Sequence, residues 1–397
     1  MTTCFYKATF RFIRIVVPMA LLTTALHAQE EEREMPDFSW DTLPLYMHVR
    51  KATAFSDEEF RFLSKFPLIT LEKSNGHDTY GSVDAGSIEA AKGIKALNPQ
   101  AKVLFYRNVM VHYGGYSFDK QLEDIPGWYL EGKDGQDKLI RGRVRAYDLS
   151  NEKLRKWWVD TMAGVCKSEY IDGLFLDGNV KVLTTFLTGD LPKGKKEAVT
   201  EGYRVMMDES RKALADEKLM VANIIRARFD DSGLEFIDYF DGSYLEAFSH
   251  EVGGMSKAEY MAKGIAAVQK AAQDGKIIAL TLGIGKTSLG DGIDESKGSI
   301  ESFGAASQEQ LDFNIALFLI MAEKYSYLMV SDGYGVDPGK DGKCESKLWM
   351  HTFPEYDRPL GAPKGAAVKD GMRYTREFEH VSVSLDLGTM KGELNWK

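Results

Sequence analysis

Two short stretches bring an apolar run to a carboxylate: "DGLFLDG", residues 172–178, reaches Asp177, and "GSYLEAF", residues 242–248, reaches Glu246. In an extended strand successive side chains face opposite sides, so Phe175 and Asp177 share one face while Leu174 and Leu176 share the other. Tyr244 and Glu246 share a face in the same way. If the leucines pack under helices, both acids point into one cavity. Two carboxylates flanking a cavity suit glycosidic-bond cleavage: one protonates the leaving oxygen, the other attacks the anomeric carbon or activates water. Asp177, shorter and more fixed, is expected to be nucleophile or base. Glu246 is expected to be the general acid, with Tyr244 and Phe248 favouring its protonated form; the reverse assignment stays open.

Other run ends carry His48, Glu72, Lys73, Arg107, Asn108, Asn223 and Asp332. With Tyr244 these are the candidate substrate contacts, and Tyr46, Tyr106 and Trp128 are available to stack on sugar faces. Plainer roles compete at several positions. Glu72 and Lys73 suit a structural ion pair equally well, His48 suits a partly buried core histidine, and Asp332, followed by Gly333, suits a turn cap. Asp172 opens an Asp-Gly turn into its strand, where a structural role is expected.

The elements that would hold these groups form a rhythm. Eight apolar runs, at residues 44–49, 67–72, 101–108, 172–177, 218–224, 242–248, 276–282 and 325–332, are each short enough for a buried parallel strand. Amphipathic segments lie between them. The clearest is residues 150–168, with Leu154, Trp157, Trp158, Thr161 and Val165 on one stripe and Ser150 as expected N-cap. Others are 87–97, 196–217, 256–273 and 307–324. Eight strands alternating with helices predict an α/β fold, a (β/α)8 TIM barrel over residues 40–340, with reactive groups at the carboxyl ends of its strands. An open doubly wound sheet would show a glycine-rich turn after the first strand, and residues 50–60 lack one. After residue 345 the alternation in "HVSVSLDL" and a glycine-containing turn predict a small C-terminal antiparallel β extension, residues 345–397, packed on the barrel.

Residues 1–28 place Lys7, Arg11 and Arg14 before the apolar run "IVVPMALLTTALHA", the order of a secretory signal peptide. A secreted or periplasmic protein without stable membrane association after signal removal is expected. The formal net charge is -9; without those three basic residues, and with no acid among residues 1–28, it becomes -12. That sign disfavours nucleic acid and anionic membranes, though a local basic patch still suits a polyanionic glycan. Cys166 and Cys344 either pair or, as expected of two distant cysteines, remain buried thiols. There is no HExxH or CxxC, so neither metal nor cofactor is expected. "GIGKTS" fails as a phosphate loop because position 280 is Leu280.

The stretches "RAYDLSNEKLRKWWVDTM", "YIDGLFLDGN", "YFDGSYLEAF" and "YDRPLGAPKGAA…GMRYTREFEHVSVSLDL" together resemble hypothetical glycosyl hydrolase family 15, over roughly residues 40–397. The resemblance implies a (β/α)8 barrel distantly similar to α-galactosidase-like and polygalactosaminidase-like enzymes. In α-galactosidase-like barrels an Asp ending the fourth strand is the nucleophile and an Asp ending the sixth is the acid/base. Carried over, the first role lands on Asp177 and the second on Glu246, where Glu replaces Asp and changes the carboxylate separation. The function implied is hydrolysis of O-glycosidic bonds in an α-linked or otherwise unusual oligosaccharide or polysaccharide, within carbohydrate metabolism. The alternative is a catalytically inactive carbohydrate-binding barrel.

Overall fold

Short, wholly apolar runs have no solvent face, and the chain buries them by closing a parallel sheet. The computed structural model describes residues 1, 33–183, 189–246, 248–249, 254–284, 305–337 and 346–397. The expected signal peptide beyond Met1, and Cys344, lie outside the described residues. Eight parallel strands pair in the order β1 (Met47–Val49), β2 (Leu68–Leu71), β3 (Lys102–Asn108), β6 (Gly173–Asp177), β7 (Leu219–Asn223), β8 (Gly242–Leu245), β9 (Ile277–Gly283) and β10 (Ser326–Ser331), with a two-stranded hairpin, β4 (Leu139–Ile140) and β5 (Val144–Arg145), in the loop after β3. Leu45 bridges to Leu328 in parallel and Tyr46 N–H donates to the Leu328 carbonyl, which brings the last strand back to the first. The result is a (β/α)8 barrel, as expected.

Helices separate the strands: α1 (Asp57–Leu63), α2 (Val83–Leu97), α3 (Glu152–Cys166), α4 (Lys195–Ala213), α5 (Lys257–Gln273) and α6 (Ala305–Met321). Their starts follow capping chemistry. Ser56 and Ser256 form capping boxes with Glu59 and Glu259. Helix α3 is capped by Asn151, whose side chain accepts from the Lys153 and Leu154 amides, one residue after the expected Ser150. Ser150 instead hydrogen-bonds Asp148. Helix α3 buries Leu154, Trp157, Trp158, Met162 and Val165 against the sheet.

Beyond the barrel, β11 (Val368–Asp370), β12 (Arg373–Glu377), β13 (Val381–Asp386) and β14 (Lys391–Trp396) form an antiparallel sheet. One face of it is apolar, with Tyr374, Val381, Val383 and Leu385 buried. It lies on α6 so closely that a side chain at Gly392 would strike the Phe313 backbone at 2.6 Å. Arg376, itself buried, reaches from this sheet to the carbonyls of Leu319 and Ala322 and to Glu323, covering acceptors that the end of α6 leaves open.

Candidate active site

Strand register decides which groups meet. Tyr106 pairs with Phe175 and Asn108 with Asp177 across β3 and β6, and Asn223 pairs with Tyr244 across β7 and β8. These residues share the parity of Asp177 and point inward. Glu246 lies one residue beyond β8, on the same parity as Tyr244.

Asp177 Oδ2 accepts from the Tyr106 hydroxyl at 2.8 Å and from Asn108 Nδ2 at 3.2 Å, and Oδ1 accepts from Asn223 Nδ2 at 3.2 Å. Asn108 is held in turn, since its Oδ1 accepts from the Met110 and Val111 amides. The glycine after Asp177 has a local cause. Gly178 sits at φ +81 with the Asn108 amide against it, so a side chain at 178 would be strained and would displace the group that holds the carboxylate.

Glu246 Oε1 accepts from the same Asn223 Nδ2 at 3.1 Å and from Arg226 Nη2 at 3.3 Å. Its Oε2 accepts from the Tyr244 and Tyr334 hydroxyls, both at 3.2 Å, and those two hydroxyls touch each other. Burial, followed by the neighbouring Glu246, raises both phenols well above their ordinary range. Burial and then Asp177 do the same for Tyr106. All three tyrosines therefore remain protonated donors to carboxylates.

Beside the pair, Lys73 Nζ donates to both oxygens of Glu72, at 2.6 and 2.9 Å, and lies 5.2 Å from the Tyr106 ring and 5.3 Å from the Tyr113 ring. Burial alone would raise the Glu72 carboxyl, but Lys73, His48 and Arg50 outweigh it and bring it to about 2. His48 is enclosed by the rings of Phe175, Tyr244 and Tyr334, with Nε2 3.8 Å from Glu72, an electrostatic contact too long for a hydrogen bond.

The structure thus brings Asp177, Glu246, Asn108, Asn223, Tyr244, Glu72, Lys73 and His48 together. It does not bring Arg107 or Asp332. Arg107 has the opposite parity to Asp177, and its guanidinium is buried outside the barrel among Tyr116, Phe118, Trp157 and Trp158, 4.4–5.7 Å from their ring centroids. A sugar at the barrel mouth does not meet it. Asp332 accepts from the Ser346 hydroxyl and the Lys347 and Leu348 amides, which makes it an anchor for the chain that follows. Tyr46 and Tyr106 are fully buried, and Tyr106 stacks on Phe175, so neither offers a face to a sugar. Trp128 packs with His112 and Arg145 in the loop after β3. Asp172 takes the structural role expected, bonding the Val103 amide and Lys95.

Two contributors were missed, Arg226 and Tyr334. Both follow strands in loops where no periodicity marks them; the only signal was position, three residues after β7 and after β10. Tyr334 is fixed because its carbonyl accepts from Arg50 N–H and Val336 N–H returns to the Arg50 carbonyl, prolonging the β1 edge. Among the described residues no group of three or more His, Cys, Asp or Glu could hold a metal, and no helix is long and apolar enough to cross a membrane.

A parallel eightfold barrel with two acids at its mouth matches the architecture of glycosidases. The chain belongs to hypothetical glycosyl hydrolase family 15, whose family model matches residues 95–382. No curated protein matches it. Similar solved structures include the GH36 α-galactosidase AgaA A355E from Geobacillus stearothermophilus in complex with 1-deoxygalactonojirimycin, 10% identical with a TM-score of 0.49, the alignment covering 88% of this chain and 48% of that one. This chain therefore spans about half the length of that enzyme. The acarbose-soaked debranching enzyme of Nostoc punctiforme is 12% identical with a TM-score of 0.46, covering 90% and 91% of the two chains. The noncanonic maltogenic α-amylase AmyB of Thermotoga neapolitana is 14% identical with a TM-score of 0.46, covering 86% and 85%.

Proposed function

We propose that the chain, exported to the periplasm or secreted, cleaves O-glycosidic bonds of an oligosaccharide or polysaccharide through Asp177 and Glu246. The observation that carries this reading is the single nitrogen, Asn223 Nδ2, bonded to one oxygen of each acid at 3.2 and 3.1 Å. With the two hydrogens of an amide NH2 diverging by roughly 120°, ideal geometry would hold the bridged oxygens on the order of 5 Å apart. A shared donor keeps the two carboxylates close, and the proposed separation is the shorter, retaining one of about 5 to 5.5 Å rather than the inverting one of about 6.5 to 9.5 Å.

In this reading Asp177 is the nucleophile. Its donors, Tyr106, Asn108 and Asn223, all stand on strands, which fixes the attacking oxygen. Glu246, a quarter exposed and longer, protonates the leaving oxygen and later activates water. One observation favours the reverse assignment: Arg226 Nη2 lies 3.3 Å from Glu246, placing a fixed cation beside that acid and, among the described residues, none in hydrogen-bond contact with Asp177. The reading is tested by incubating a panel of polysaccharides and aryl glycosides with wild type, Asp177→Asn and Glu246→Gln. We expect at least one glycan to be cleaved and both variants, with melting unchanged, to lose about a thousandfold or more in rate on it. Wild-type rates in either folded variant would exclude that residue.

A further inference from the structure

The loop leaving β3 returns as a hairpin, β4 (Leu139–Ile140) and β5 (Val144–Arg145). It is joined to the chain just past Asp177's neighbours on β3. Val111 pairs antiparallel with Ala146, His112 N–H donates to the Arg145 carbonyl, and Tyr147 N–H donates to the Met110 carbonyl. That register sets Tyr113 beside Val144, with the tip at residues 141–143 beyond.

Four cations line residues 138–145, in a chain whose net charge is -9. Lys138 pairs with Asp190 at 2.8 Å, and Arg145 pairs with Asp137 at 2.7 Å while covering the Tyr129 ring. Arg141 and Arg143 are exposed and, among the described residues, have no carboxylate partner. Arg141 also holds φ +52, a left-handed conformation unfavourable to a residue with a Cβ. Inward from this tip, Tyr113 lies 5.3 Å from Lys73 Nζ. Of the three ammonium donors of Lys73, Glu72 takes two, leaving one. Lys73 lies over Tyr106, whose hydroxyl holds Asp177. Burial raises the Tyr113 phenol against the opposing pull of Lys73 and Arg141.

We propose that the hairpin tip is a subsite for the acidic groups of a polyanionic glycan, uronate carboxylates or sulfate esters, held by Arg141 and Arg143, unpaired among the described residues, with Lys73, whose charge Glu72 already balances, offering only its remaining donor inward of them. The proposal rests on the reading of Asp177 and Glu246 as the hydrolytic pair and adds the substrate class. An acidic protein repels polyanions at long range, so such a glycan is captured only where local cations are unneutralised. Arginine forks match carboxylate and sulfate oxygens in pairs.

The test reads binding without turnover, using full-length Asp177→Asn, or Glu246→Gln if the first melts early. Polygalacturonate, dextran sulfate and neutral dextran serve as probes in affinity electrophoresis, at low salt and in 0.5 M salt, about fivefold the ionic strength that already screens beyond about 10 Å. We expect one or both polyanions to retard the protein and dextran not to. Salt, and Arg141→Gln with Arg143→Gln, should each weaken retardation about tenfold. Retardation by polygalacturonate assigns carboxylate recognition, and retardation by dextran sulfate alone assigns sulfate. Equal retardation by dextran, polyanion binding unmoved by the double substitution, or no polyanion binding would each overturn the proposal while leaving the hydrolytic pair to its own test.

Discussion

Glu72 illustrates what one buried charge contributes beside a candidate reaction centre. It lies inside the barrel, where burial penalises the anion, yet Lys73 in direct contact, with His48 and Arg50, brings its carboxyl from 4.5 to about 2. The direction of the pH effect follows. Between about 4.5 and 2 the unfolded chain binds a proton at this position that the folded chain does not, so stability falls as pH falls through that window. The contribution is fully present above the unfolded value and amounts to roughly 3 kcal/mol at most. Glu72→Gln is therefore expected to be less stable than wild type in urea at pH 6, and the gap between the two should shrink at pH 3. A gap that stays constant with pH would mean that the pair does not hold Glu72 ionised.

At the scale of elements, α6 depends on a residue that follows it by more than fifty positions. Arg376 is 4% exposed and donates to two carbonyls at the end of α6 and to Glu323 at 2.9 Å. Its removal leaves those acceptors buried and Glu323 without its cation. Arg376→Ala is expected to lower unfolding free energy by about 3 kcal/mol while kcat per folded molecule stays unchanged, because the residue contacts nothing at the barrel mouth. Denaturant melts and active-site titration check both halves. The sequence showed this sheet through the alternation around Val381, Val383 and Leu385, which matches β13, but not the guanidinium that clamps it. Barrel strands were legible because a strand covered on both faces is apolar throughout. The hairpin of β4 and β5 was not, being two pairs of residues within a long loop. Arg107 was misplaced although alternation held the answer: Tyr106 and Asn108 share Asp177's face, so Arg107 must face outward. For Asp332, read both as a substrate contact and as a turn cap, the bonds to Ser346, Lys347 and Leu348 favour the structural role.

For the whole molecule, the barrel converts distance along the chain into proximity. Asp177 and Glu246 are 69 positions apart in sequence, yet one amide of the strand between them touches both. Membership of a hypothetical glycosyl hydrolase family supports the proposed hydrolysis, while the proposed identity and roles of the two acids rest on this geometry. The pair was legible because two strands end alike, in an aromatic residue, an aliphatic residue and an acid. The donors Arg226 and Tyr334 were not, because loops carry no periodicity. The most direct test is chemical rescue of Asp177→Ala and Glu246→Ala with azide, using an activated aryl glycoside of whichever sugar the wild type cleaves. A retaining pair predicts that both variants are slow without azide. With azide, Asp177→Ala should yield a glycosyl azide of inverted anomeric configuration, and Glu246→Ala one of retained configuration. The reverse pattern would exchange the two roles; wild-type turnover in both alanine variants without azide would contradict the two-carboxylate centre.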